Sequence, residues 1–197
     1  MAIDAAFSAF VKQDVWINSH IKNLWNPALN KIMIILTNVI SPEIIIAVSI
    51  PLIILFIYKK QWHKSFLLAF SIMIGLSGVE LLKLLARRAR PGGSLIQEAG
   101  YSFPSTHSAI AIIFFILMVY FFKDHFASKK SRLAFIIANI LLIFLAGFAR
   151  VYLNVHWYSD VIAGFIFGIL VILFSICCSR TTYFQRLVPK GTRNTYP

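Results

Sequence analysis

His156 and Asp160 stand four positions apart in the stretch Val155-His156-Trp157-Tyr158-Ser159-Asp160. On a helix that spacing puts an imidazole and a carboxylate on one face. Asp160 can then accept a proton from one ring nitrogen and leave the other as a nucleophile or base. Each residue alone has a plainer reading: Asp160 complements the dipole of a helix start, and His156, beside Trp157 and Tyr158, packs at an interface. Their pairing leaves the chemical and the plain readings level.

A second polar group, Pro104-Ser105-Thr106-His107, opens an apolar run that continues to Phe122. A helix start presents free backbone N–H groups and a positive dipole end, which bind phosphate or another oxyanion. Pro104 just before the start, Ser105 as N-cap and the small Thr106 keep that end open while adding donors. His107, in the first turn, is placed to deliver a proton to a leaving oxygen. Capping by itself accounts for Ser105; the case for chemistry is convergence with the cations nearby.

Lys83, Arg87 and Arg90 fall at i, i+4 and i+7, so one face of a helix end carries three positive charges, and Pro91 biases Arg90 out of helical geometry. Such a face repels itself unless an anion sits there. Arg87 and Arg88 read best as side chains snorkelling to headgroups. Lys83 lies deepest, where a cation costs up to about 2.5–3.5 kcal/mol at full depth, and it requires a partner. Arg150 adds a further cation on the same side. Together these residues make an anion site with acid–base and nucleophilic equipment.

The elements that must position this site are membrane helices. Of 197 residues, 59% are apolar and 13% charged. Apolar residues recur in unbroken blocks at 41–58, 65–86, 105–122, 133–152 and 157–178 rather than in stripes. The expected fold is all-α, an integral membrane bundle of five transmembrane helices. Ser41-Pro42-Glu43 reads as N-cap, first-turn proline and first-turn acid, with 32–40 as a separate approach segment. Residues 1–38 mix aromatic and aliphatic side chains with charges, which suits an amphipathic interfacial arm rather than a cleaved signal peptide. One domain, 1–197, is expected: that arm, a transmembrane core at 41–178 and a basic tail at 179–197.

Net charge is +12, and most of it sits between helices. Lys59, Lys60 and Lys64, then Lys123, Lys129, Lys130 and Arg132, then Arg180, Arg186, Lys190 and Arg193 fall on one side of a five-span protein. The positive-inside rule makes that side cytoplasmic and leaves the candidate site facing outward. Topology explains the charge better than nucleic-acid binding, so the bilayer is the expected partner. Adjacent Cys177 and Cys178 lie closer than a disulfide normally tolerates, and no metal-ligand spacing occurs.

The motifs Lys83 to Arg90-Pro91, Pro104-Ser105-Thr106-His107 and Arg150 to His156 to Asp160 resemble, in order and spacing, the three motifs of the type 2 phosphatidic acid phosphatase superfamily. The resemblance implies a membrane lipid phosphate phosphatase of the bacterial inner membrane, acting on undecaprenyl diphosphate, phosphatidylglycerophosphate or phosphatidate, with a lipid A phosphatase as runner-up. It implies that His156 attacks phosphorus, Asp160 orients it and His107 protonates the leaving oxygen. Lys83, Arg90, Ser105, Thr106 and Arg150 would hold the phosphate, with no metal or other cofactor. Thr106 stands where the family usually has glycine, and Ala149 where it has serine. The glycines of the linker 92–103 suit a flap over the site. Two other classes remain at this stage, a non-enzymatic lipid or anion carrier and a membrane scaffold.

Overall fold

The computed structural model describes residues 2–180, the side chains of 2–10 excepted. The basic tail beyond Arg180, with Arg186, Lys190 and Arg193, lies outside the described residues. Seven α-helices run in chain order: α1 (Ala2–Ile21), α2 (Pro27–Val39), α3 (Pro42–Tyr58), α4 (Trp62–Ala86), α5 (Thr106–Phe122), α6 (Lys129–Tyr152) and α7 (Tyr158–Ser179). Among the described residues, five segments are long and apolar enough to cross a bilayer, the first being α2 and α3 taken together. The protein is an all-α, multi-pass membrane protein.

Local chemistry sets the helix starts. Asn26 caps α2 by accepting from the Leu29 amide at 2.9 Å, with Pro27 in the first turn. Ser41 caps α3 in the same way, followed by Pro42 and Glu43 as the sequence predicts. The expected approach segment at 32–40 is instead part of a helix that begins at Pro27 and docks on α6. Two of its polar residues find partners on α6: Thr37 accepts from Arg150 and Asn30 from the Tyr152 hydroxyl.

α5 is the central helix. It touches α3, α4, α6 and α7, and Ala109, Ile110, Ala111 and Ile113 on its first turns are fully buried. The close approach of α7 depends on Gly164 and Gly168. A Cβ on Gly164 would lie 2.6 Å from the Ser105 carbonyl oxygen, and one on Gly168 would lie 2.3 Å from Ile112. Backbones meet here because the side chains are missing, as in other small-residue helix crossings. The contact brings the start of α7, which carries Asp160, against the start of α5, which carries His107. The Ser105 amide donates to the Asp160 carbonyl at 3.0 Å and ties the two starts together.

Candidate active site

α4 ends where Arg87 turns into the left-handed region at φ 46, its amide bonded to the Lys83 carbonyl. Arg90 therefore leaves the helix, and the expected single face of Lys83, Arg87 and Arg90 does not form. Lys83 stays in the last turn and finds its partner in Glu80 at 2.9 Å, while its charge also acts on His107. Arg87 is exposed and bonds only its local carbonyl, Leu84, in keeping with a headgroup-facing role.

Arg90 is half-buried and saturated. It donates to the carbonyls of Ala99, Gly100, Tyr101 and Val155, and its Nη1 lies 3.2 Å from His156 Nε2. A guanidinium only donates, so Nε2 is the lone-pair nitrogen and the imidazole proton sits on Nδ1. Nδ1 faces Asp160 Oδ2 at 3.5 Å, longer than a formed hydrogen bond, and it has no other protein partner. The structure thus presents His156 with its lone-pair nitrogen against Arg90 and the other turned toward a carboxylate. Burial is the main cause that lowers the His156 pKa to about 4; the nearby Asp160 carboxylate opposes it and the charges of Arg150 and Arg90 add to it. His156 is neutral near pH 7, the form a nucleophile requires.

Arg150, at the end of α6, is 1% exposed. Its Nη1 donates to the Thr37 hydroxyl at 2.9 Å and its Nη2 to Glu98 Oε2 at 2.5 Å. The other oxygen of Glu98 reaches Arg90 at 3.9 Å. One carboxylate therefore spans two of the cations that sequence reasoning assigned to phosphate. Burial alone would raise the Glu98 carboxyl, but the charge and hydrogen bond of Arg150, with Arg90 and His156 behind them, hold it below the usual carboxylate range.

Ser105 is fully buried and caps α5, accepting from the Ser108 amide and hydroxyl. Its own hydroxyl proton remains to be donated. Thr106 Oγ1 and Arg150 Nε are buried without a protein partner, as is His156 Nδ1. Buried polar atoms are rarely left so unless they face a ligand or solvent. The His107 ring is steadied by the Thr37 backbone and lies within electrostatic reach of His156, Arg150 and Lys83. Ala149 is buried against Met33, Tyr152 and Val155, so the position that carries serine elsewhere serves packing here.

Asp160 is fully buried and works in several directions. Oδ2 accepts the Trp157 amide at 2.9 Å and Oδ1 accepts Arg88 Nη1 at 2.6 Å. Arg88 is therefore not a snorkelling side chain, as its place in the sequence suggested. It turns inward because Asp160, Asp14 and Ser159 offer it three acceptors, at 2.6, 2.6 and 2.7 Å. The N-terminal arm is also more than an interfacial helix: Asp14 and Asn18 on α1 are buried, and Asn18 donates to Asn154 and to the His156 carbonyl.

The linker 92–103 is pinned rather than loose. Leu95 bonds the Leu153 carbonyl, Ser102 bonds Arg88, and Asn154 holds the carbonyls of Gly92 and Gly93. Gly93 and Gly100 supply the positive φ angles, 72 and 76, that its turns require. Sequence reasoning missed Glu98, Thr37, Asp14, Asn18 and Asn154. For Glu98 a signal existed: it is the single acid between Glu80 and Asp124 in a chain with only 7 acids.

Residues 64–184 match the PAP2 superfamily. Phosphatidylglycerophosphatase B of Bacillus subtilis is 33% identical over 155 residues, covering 74% of this chain and 72% of that protein. The crystal structure of the transmembrane PAP2-type phosphatidylglycerolphosphate phosphatase from Bacillus subtilis superimposes with a TM-score of 0.74 at 26% identity, covering 92% of this chain and 89% of that one. The crystal structure of Aquifex aeolicus LpxE gives 0.67 at 25% identity, with 83% and 94% covered.

Proposed function

The chain belongs to the PAP2 superfamily and is a membrane lipid phosphatase, and from that premise we propose that it hydrolyses a lipid phosphate or diphosphate through a phosphohistidine formed on His156. The substrate headgroup enters from the outer leaflet of a bacterial inner membrane. The observation that carries the reading is the Glu98 carboxylate between Arg150 and Arg90, with Arg90 in turn against His156 Nε2. A carboxylate held there marks where phosphoryl oxygens would be drawn.

In the first step the phosphate displaces Glu98, and its non-bridging oxygens take donors from Arg150, the Thr106 end of α5 and the Ser105 hydroxyl. Arg90 has five bonds already, so the one N–H aimed at Nε2 is the one it can pass to the substrate. The negative charge of the bound phosphate lets His107 take up a proton from solvent; Nε2 then attacks phosphorus in line, the bond to the leaving oxygen of the lipid or of its remaining phosphate breaks, and His107 gives that oxygen its proton. Lys83 adds positive charge on the His107 side. Asp160 holds the Nδ1 proton and offsets the cationic ring that forms. In the second step His107 takes a proton from water, the hydroxyl attacks phosphorus and the phosphorus–nitrogen bond breaks, releasing phosphate and restoring His156.

Phosphatidylglycerophosphate, phosphatidate and undecaprenyl diphosphate lead the substrate classes, the first supported by the Bacillus relatives, with lipid A phosphate as the alternative. The test is phosphate release in detergent with chelator present across these four lipids, alongside His156→Ala and acid-quench trapping of labelled protein. Chelator-resistant release, lost in the variant and accompanied by an acid-labile phosphoprotein, is the expected result. Activity equal to the parent in His156→Ala would overturn the mechanism, and the rank of the four lipids decides the substrate.

A further inference from the structure

Asp14 belongs to α1, far from the three motifs in sequence, yet its carboxylate is 1% exposed and fully engaged at the start of α7. Oδ1 accepts the Ser159 amide at 2.8 Å, and Oδ2 accepts the Ser159 hydroxyl at 2.5 Å and Arg88 Nη2 at 2.6 Å. The other arm of the same guanidinium donates to Asp160 Oδ1 at 2.6 Å. Its Cζ lies over the Trp157 ring, 5.4 Å from the ring centre. Asp14, Arg88, Asp160 and His156 thus form one continuous line of alternating partners.

A guanidinium set alone against Asp160 would draw the carboxylate's charge away from His156. With Asp14 on its far side, Arg88 is shared, and the three groups retain one net negative charge next to the imidazole. Asp14 also accepts an N–H of the first turn of α7, one of the donors a helix start leaves open. The Trp157 side chain preceding it offers no cap of its own.

We propose that Asp14 is a positioning residue of phosphoryl transfer: through Arg88 it keeps Asp160 available to His156, so α1 is part of the catalytic unit. The inference rests on the phosphohistidine reading above. Around His156 stand Asp160 of α7, Arg150 of α6, Arg90 after α4, Glu98 of the linker and His107 of α5, with Arg88 and Asp14 behind Asp160. Asp14→Asn keeps the shape and removes the charge. Arg88→Gln removes the opposite charge.

The experiment is a pH–rate profile of the full-length protein in detergent for the parent, Asp14→Asn, Arg88→Gln and the double variant, using phosphatidylglycerophosphate. Asp14→Asn should lower kcat about tenfold with KM within about twofold, a loss confined to the transition state. Its acid limb in kcat/KM should move to lower pH, because a negative charge near the imidazolium is gone. Arg88→Gln should move that limb the opposite way, and adding Asp14→Asn to it should cost less than about twofold, since neighbours in one network are not additive. A parent-like kcat in Asp14→Asn, or an equal loss in both backgrounds with no movement of the acid limb, would overturn the proposal. If Asp14→Asn does not fold, an unmoved limb in Arg88→Gln overturns it alone. His156→Ala in the same series separates the layers: activity there sinks the phosphohistidine reading, whereas an inactive His156→Ala beside an unaffected Asp14→Asn sinks only the role of Asp14.

Discussion

Glu98 Oε2 lies 2.5 Å from Arg150 Nη2, and its other oxygen faces Arg90, the residue whose Nη1 meets the lone-pair nitrogen of His156. The linker therefore delivers its own anion to the cations of the site. Phosphate and Glu98 compete for Arg150, and the substrate must displace a carboxylate before it can be attacked.

Glu98→Gln should relieve that competition. The amide keeps one acceptor for Arg150 but carries no charge, so inorganic phosphate should inhibit the variant at roughly fivefold lower concentration, equivalent to about 1 kcal/mol. Product-inhibition constants measured at pH 7 check this. An unchanged constant would mean that Glu98 leaves the arginines without electrostatic cost.

The pH dependence of stability follows from His156. Its folded pKa, lowered by burial to about 4 from 6.5, means that the unfolded chain binds the proton more readily. This residue's contribution therefore falls as pH drops from about 6.5 toward 4, the range in which only the unfolded state gains the proton. Glu98 works in the same direction at lower pH: its depressed carboxyl contributes above the ordinary value of 4.5 and loses that contribution as pH falls below it. Thermal unfolding of parent and His156→Asn in detergent between pH 7 and 4 should show a shallower fall for the variant.

Arg90→Lys should not rescue Arg90→Ala. The guanidinium holds four carbonyls and the nucleophile at once, whereas an ammonium has three donors and no fork. Both variants should lose more than about a hundredfold in kcat/KM, about 3 kcal/mol, because the linker and Nε2 lose their common anchor. Recovery above a tenth of parental activity in Arg90→Lys would reduce Arg90 to a point charge.

Much of this arrangement was legible in the sequence because membrane helices are written in long apolar blocks and the motif residues interrupt them. Ser105 with His107 could be placed from spacing, since both stand at the start of α5; His156 and Asp160 do face each other, but His156 precedes Trp157, the N-cap of α7, so the turn after α6 and not a shared helix face brings it to Asp160. Glu98, Thr37 and Asp14 could not be placed from spacing. Their partners lie 52, 113 and 74 residues away along the chain, and such contacts leave no periodic trace. Arg88 was misread for the same reason: next to Arg87 it looks like a headgroup cation, and only the fold reveals the two carboxylates that turn it inward.

Gly164-x-x-x-Gly168 carried a readable signal that spacing of the catalytic motifs overshadowed. These two positions let α7 lie on α5, and the Cβ of an alanine at 164 would meet backbone, the Ser105 carbonyl oxygen at 2.6 Å. A backbone atom at the N-cap of α5 cannot swing aside as a side-chain end does, so Gly164→Ala must move one helix start against the other. Overpacking of this kind costs about 1–3 kcal/mol, and the same shift separates Asp160 from the His107 end of the site. Gly168→Ala meets the Ile112 side chain first and the Ala109 carbonyl oxygen at 2.8 Å, about one turn deeper in the bundle. The expected outcome is that both variants lower the melting temperature, while Gly164→Ala loses a larger share of kcat than Gly168→Ala for the same loss of stability. Equal losses of activity at equal stability would mean that the helix crossing supports the bundle without setting the geometry of the site.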